Sequence, residues 1–191
     1  MAFYLKSTFK VFLFLLVIVL PAQAQNLTLS QLMTLLSGQS SFDVRFKEEK
    51  IDAYLEIPIY LTGRVSFSPP DYLKKIIETP SRQWFELNGD TVTISIGGKE
   101  LRVFSAQEHP EIIAFFESFR SVLTGDIVSL KKFYTIKFSG DINKWELELK
   151  PHNKKLSYRL NSMIFSGHQS QLLQVTTLMQ NGDSSMMTFI Q

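Results

Sequence analysis

Three histidines, His109, His152 and His168, carry the readiest chemistry in this chain of 191 residues. No two of them stand at the i, i+4 spacing that sets a pair of metal ligands on one helix face. Each lies in or beside a turn, the usual place of a surface histidine. Cysteine is absent, which excludes thiolate nucleophiles, disulfides and Cys-based zinc sites. A Gly-x-Ser-x-Gly elbow is missing, and with it the serine hydrolase built on that turn. Gly97-Gly98-Lys99 looks like the end of a phosphate loop, but Glu100 follows the lysine and the upstream glycine spacing is wrong, so it reads as a hairpin turn. The carboxylates fall on the outward phase of strands (Glu146, Glu148) or in turns (Asp90, Asp141, Asp183), where water solvates them and nothing tunes them for acid or base work. Only a dyad assembled from residues distant in sequence would restore catalysis. The chain is expected not to be an enzyme and to use neither metal nor cofactor.

The residues that recur with a period do so for burial. Ile112, Phe115, Phe116 and Phe119, then Val122 or Leu123, repeat at helical spacing after Pro110 and Glu111, which suit a first turn. Gly125 ends that helix, and Asp126 caps a short one running through Lys132. Nearer the start, Thr28 and Gln31 have capping-box spacing, Leu29, Leu32, Met33 and Leu36 share a face, and Gly38 is the stop. Elsewhere the period is two. Val44 and Phe46, Val65 and Phe67, Val92, Ile94 and Ile96, Tyr134, Ile136 and Phe138, and Trp145, Leu147 and Leu149 alternate with polar neighbours, as half-buried strands do. Asn88-Gly89, Gly97-Gly98 and Asn181-Gly182-Asp183 supply hairpin turns. The strand pattern continues through Tyr158, Leu160, Ile164, Val175, Thr177 and Met179.

A sheet with one oily face must cover it, and the helices over Leu29–Leu36 and Pro110–Leu123 are there to do so. The space beneath them is either an ordinary filled core or a hollow left open for a guest with hydrocarbon chains. Pattern alone favours the filled core but does not separate the two, because a core Phe and a cavity-lining Phe make the same periodicity.

Residues 1–24 read as a secretory signal. Lys6 and Lys10 form its positive region, Val11 to Leu20 its apolar core, and Ala22-Gln23-Ala24 a small-x-small cleavage site. Residues 25–191 then make one domain, a length that favours a single sizeable core. With no cysteine to carry a lipid, and an apolar run too short for a spanning helix with its own stop, a soluble domain of the bacterial periplasm is expected. Both signal lysines leave with the segment, so 18 basic residues balance 18 acidic ones. That balance removes the electrostatic case for nucleic acid.

Taken in order, these pieces resemble the LolA-like family of periplasmic outer-membrane lipoprotein carriers. Ser41-Phe42 with Phe46, Gly63 opening the strand to Phe67, Pro70 closing it, the strand from Trp145 to Pro151 and the Asn181-Gly182-Asp183 turn carry the resemblance. Further blocks are similar to the subgroup found beside fatty-acid and aryl-polyene pigment biosynthesis genes: Phe46 with Glu48 or Glu49, Pro58, Pro69-Pro70-Asp71-Tyr72-Leu73, Asn88-Gly89-Asp90, Phe119-Arg120 with Leu123, Gly125-Asp126, and Gly140 before Trp145. The resemblance implies a mainly β fold, an unclosed and curved antiparallel half-barrel of about eleven strands with helices over its concave face. It implies an apolar cavity and lid made by Phe46, Val65, Phe67, Ile94, Ile112, Phe115, Phe116, Phe119, Trp145, Leu147 and Leu149. The cargo it implies is the acyl chains of a lipoprotein or of a lipid-like aryl-polyene product. A monomer would take them from an inner-membrane donor to an outer-membrane acceptor, touching membranes only transiently. A regulatory or adaptor domain that senses lipid through the same surface is the alternative, and a hydrolase of acyl esters lacks a nucleophile. One departure stands out. The family carries a basic residue just before the proline that closes the early strand, where it secures the lid, and this chain has Pro69 there. Something else must hold the lid; Arg120, near Asp126, is either the anchor of the helix end or an exposed helix residue.

Overall fold

The structure, a computed structural model, describes residues 27–38, 40–97, 99–105 and 110–190. The signal segment 1–24, Gly98 and His109 lie outside the described residues, as do the side chains of 99–102, 104–105 and 110–115. The period-two stretches fold as strands β1 (Phe42–Ile51), β2 (Ile59–Ser68), β3 (Tyr72–Thr79), β4 (Gln83–Asn88), β5 (Thr91–Ile96), β6 (Lys99–Ser105), β7 (Tyr134–Gly140), β8 (Trp145–Pro151), β9 (Leu160–His168), β10 (Gln171–Met179) and β11 (Ser184–Ile190). They form one antiparallel sheet in the order β6-β5-β4-β3-β2-β1-β11-β10-β9-β8-β7. Two meandering arms thus meet where β1 pairs with β11, Phe46 opposite Phe189. The outer strands β6 and β7 share no ladder among the described residues, so the barrel stays open on that side. Across the opening the chain runs through helices α2 (Pro110–Thr124) and α3 (Ile127–Phe133). This is the mainly β, unclosed eleven-stranded half-barrel that the resemblance implies.

Residues paired in register share a face of the sheet. Phe46 lies opposite Gly63, and Gly63 opposite Ile77, all on the concave side. A side chain at Gly63 would collide with the Ile76 carbonyl, and the β2–β3 register slips between Thr62 and Gly63. The glycine lets the sheet bend there and lets the Phe46 ring lie against the backbone.

Local chemistry sets the helices. In α1 (Leu29–Ser37) the Gln31 side chain accepts from the Thr28 N–H at 2.8 Å and the Thr28 oxygen accepts from the Gln31 N–H at 3.3 Å, a full capping box. Its face of Leu32, Met33 and Leu36 is buried. Gly125, at φ +69°, turns the chain from α2 into α3, and a side chain there would strike the Met33 carbonyl of α1. Asp126 caps α3 by accepting from the Ser129 N–H at 3.0 Å. Hydrogen bonds from Ser129, its hydroxyl first and its N–H second, hold the carboxyl below the usual carboxylate range. A fourth helix, α4 (Lys154–Ser157), corrects the strand expected through Tyr158. Asn153 accepts from the Lys155 N–H at 2.9 Å and starts a single turn, Tyr158 ends it 83% exposed, and β9 begins only at Leu160. Among the described residues no helix is long and apolar enough to cross a membrane.

Candidate functional site

The concave face divides into a solid part and a hollow part. On β8 and β9, Trp145, Leu147, Leu149, Met163 and Phe165 are all 0% exposed. The second half of α2 seals them, with the Phe119 ring edge-on to Phe165 at 5.2 Å and the Ser118 hydroxyl 3.2 Å from the Met163 sulfur. Burial pushes the neighbouring Tyr134 hydroxyl above its ordinary range. The Trp145 indole donates to the Gln169 carbonyl at 2.8 Å, so its one polar atom is satisfied. Three of the residues expected to line the cavity, Trp145, Leu147 and Leu149, therefore sit in a filled core.

Over β1 to β5 lies a cavity of about 450 Å³ that is partly open to solvent. Leu61, Val65, Leu73, Ile77, Phe85 and Ile94 form its sheet wall, Phe116 and Phe119 its roof, and Leu156, Leu160, Met179 and Met187 its far side. A smaller space of about 200 Å³ lies toward α1, between Leu36, Phe42, Val44 and Phe189. Val65 and Phe119 border both spaces, which adjoin there. Of the expected site residues, the structure brings together Val65, Ile94, Phe116 and Phe119 around the larger cavity. Phe67 is buried against Phe42, with ring centres 5.5 Å apart, and Phe46 is buried beneath the Lys75 ammonium, 4.9 Å from its ring centre. Ile112 and Phe115 fall in the part of α2 whose side chains lie outside the described residues.

Sequence reasoning missed the polar part of the lining. Glu48, Lys50, Lys75, Gln83 and Arg159 also border the cavity. Glu48 is only 6% exposed and pairs with Lys75 at 2.5 Å, which is what makes a carboxylate tolerable in an oily wall. The signal was legible, because Glu48 and Lys50 share the phase of Phe46 on β1, and Lys75 that of Leu73 and Ile77 on β3. Charges in the inward phase of a strand are costly without a reason. Lys50 stands near the end of β1 opposite Ile59, and the carbonyl of Arg159 accepts from the Gln180 N–H at 2.9 Å. Nearby, the Asp183 carboxylate accepts from the Ala53 N–H at 2.9 Å, a bond that lowers its pKa and ties the β10–β11 turn to the β1–β2 connection. These contacts place Lys50 and Arg159 at one end of the barrel. There the β1–β2 connection, bracketed by the lining residues Lys50 and Leu61, exposes Tyr54 by 86% and Ile57 by 75%.

Arg120 pairs with Glu117 of its own helix at 2.5 Å, and its guanidinium lies 3.5 Å from the Pro70 carbonyl in the turn that carries Pro69, a long contact; no hydrogen bond joins it to Asp126 among the described residues. His152 and His168 contact the backbone carbonyls of Lys131 and Asn143 at 3.2 and 2.8 Å and so serve as loop ties. Among the described residues no group of three or more His, Asp or Glu side chains could hold a metal ion.

The chain matches the family described as outer membrane lipoprotein carrier protein LolA-like over residues 21–189. Similar solved structures include a LolA superfamily protein from Nitrosomonas europaea, 13% identical with a TM-score of 0.43, the match covering 86% of this chain and 92% of that one. The MucA/MucB complex of Pseudomonas aeruginosa is 18% identical with a TM-score of 0.48, covering 85% of this chain and 56% of that one. An outer membrane lipoprotein-sorting protein domain from Vibrio parahaemolyticus is 11% identical with a TM-score of 0.44, covering 85% of this chain and 89% of that one. No curated protein matches the chain. The family match spans nearly the whole sequence, and the chain belongs to the LolA-like family of outer membrane lipoprotein carriers.

Proposed function

We propose that this protein is a non-enzymatic periplasmic carrier, exported with cleavage near Ala24, that shelters acyl chains in its cavity and delivers them toward the outer membrane. The cargo is the acyl part of a lipoprotein or of a lipid-like product of the aryl-polyene type, received from an inner-membrane donor and passed to an outer-membrane acceptor. The observation that carries this reading is the cavity of about 450 Å³, walled by aliphatic and aromatic side chains and roofed by α2. A buried methylene is worth about 0.8 kcal/mol, so a chain of ordinary length gains on the order of 10 kcal/mol gross on leaving water. That suffices to hold a lipid in transit. Tyr54 and Ile57, exposed beside the cavity's polar end, suit brief contact with a membrane during loading and unloading.

Solvent extraction of the purified protein followed by mass spectrometry should release intact lipid. The stripped protein should move a fluorescent fatty acid between vesicles faster than it moves unaided. Failure to bind any acyl compound, or turnover of acyl esters, would end the carrier reading. Binding without transfer would favour a lipid-sensing adaptor instead.

A further inference from the structure

The volume and charge of the cavity together specify a class of guest. A methylene takes about the room of a water molecule, about 30 Å³, so 450 Å³ holds one chain of about fifteen carbons. The smaller space, about 200 Å³, adjoins the larger one at Val65 and Phe119 and adds room for only a few more carbons, about seven. Charge adds the second constraint. Three cations, Lys50, Lys75 and Arg159, border the cavity against one acid, Glu48. The Glu48–Lys75 pair cancels itself. Among the described residues neither Lys50 nor Arg159 has a carboxylate within 4.0 Å, although Asp183 lies near enough to feel the Lys50 charge. Both cations sit at the end of the barrel marked by the Arg159–Gln180 and Asp183–Ala53 bonds, whereas around Val65, Leu73 and Phe119 the only charges in the lining are the self-paired Glu48 and Lys75.

Resting on the carrier reading, we propose that the guest is a single-chain amphiphile with an anionic head, a carboxylate or a phosphate, and that Lys50 and Arg159 hold that head at the cavity mouth. An anion there makes charge-assisted hydrogen bonds with both side chains, and the planar guanidinium fork matches two oxygens of either group. Lys50 and Arg159 are both exposed and solvated, and Asp183 lies near Lys50, so a neutral head gains little from them whereas an anionic head adds those contacts. The tail meanwhile fills the apolar depth under Phe116 and Phe119.

The test uses the chain purified after export and stripped of lipid, with displacement of cis-parinaric acid as the readout. Palmitate, hexadecyl phosphate, hexadecanol and a tripalmitoylated lipopeptide compete in turn, the first two separating a carboxylate from a phosphate head. At least one anionic probe should displace at about tenfold lower concentration than hexadecanol, and Lys50→Gln with Arg159→Gln should erase that preference. Hexadecanol should still bind the double variant, which shows that the fold and cavity survive. Equal binding of hexadecanol and both anions, or a preference that persists in the double variant, overturns the anionic-head assignment and leaves the carrier reading standing. One-to-one binding of the lipopeptide as tight as that of the better anion overturns the single-chain assignment. If no acyl compound binds, the carrier reading falls and this inference with it.

Discussion

Phe116 and Leu147 are almost equally hidden, 6% and 0% exposed, yet only Phe116 borders the cavity. A glutamate therefore has different consequences at the two positions. In Phe116→Glu the carboxylate can reach the cavity space, so the domain should stay folded while acyl-chain retention is lost. Leu147→Glu would bury an unpaired charge among Trp145, Met163 and Phe165, and should fail to give a folded protein. The softer Leu147→Ala should lose about 2–5 kcal/mol in urea unfolding with acyl binding retained under native conditions. A Phe116→Glu protein that melts normally and still holds lipid would show the roof to be misplaced. These two residues also mark the limit of what the sequence discloses about the site. Both sit on the apolar phase of their elements, and periodicity reports only that a side chain leaves water, not whether protein or vacant space meets it. The inward charges at Glu48, Lys50 and Lys75 do break that phase in the sequence itself. They were the readable sign that the concave face was no uniform core.

Helix ends show the same balance among the elements. The Thr28–Gln31 box and the Asp126 cap follow from side-chain chemistry one turn long, so both can be read directly from the order of residues. The single turn of α4 cannot, because four residues set up no hydrophobic period and only Asn153 hints at it. Replacing Asp126 by Ala should cost about 1 kcal/mol at neutral pH, and Asp126→Asn much less, since the amide oxygen still accepts from Ser129. The pH dependence has a definite sign. The folded protein holds this carboxyl below its usual value of 3.8, so its contribution is complete above that pH and is lost as the pH falls through the lowered value. Urea unfolding of wild type and Asp126→Ala should differ at pH 7 and the gap should shrink as the pH falls below 3.8 and through the lowered value; a gap that stays constant would mean that the charge plays no part in the cap. Because α3 joins α2 to β7, this cap also fixes where the roof ends. On the other side the Arg120 guanidinium lies 3.5 Å from the Pro70 carbonyl, a long contact between α2 and the turn that carries Pro69.

For the molecule as a whole, the decisive feature is a barrel that never closes. Sequential hairpins were legible from their turns, but the meeting of β1 with β11 joins residues more than a hundred positions apart, and no local pattern encodes that pairing. The consequence is a sheet whose two arms are free to differ, one packed solid beneath α2 and α3, the other hollow. On the proposed carrier reading that asymmetry has a use, because the solid arm supplies stability while the hollow arm leaves packing energy for a guest to supply. Release then depends on where the hollow opens, and its cationic end adjoins the exposed Tyr54 and Ile57. If that connection touches the bilayer during exchange, Tyr54→Asp with Ile57→Asp removes the contact without touching the cavity wall. Burying two such side chains at an interface is worth about 2 kcal/mol, enough for a slowing of tenfold or more in vesicle-to-vesicle transfer of a fluorescent fatty acid. Equilibrium binding of the same fatty acid in solution should not change. Wild-type transfer should accelerate as acceptor vesicles are added, since contact is the slow step, whereas transfer by the double variant should depend only on how fast the guest dissociates into water. Equal rates for the two proteins at every vesicle concentration would place the exchange route elsewhere, at the open side between β6 and β7.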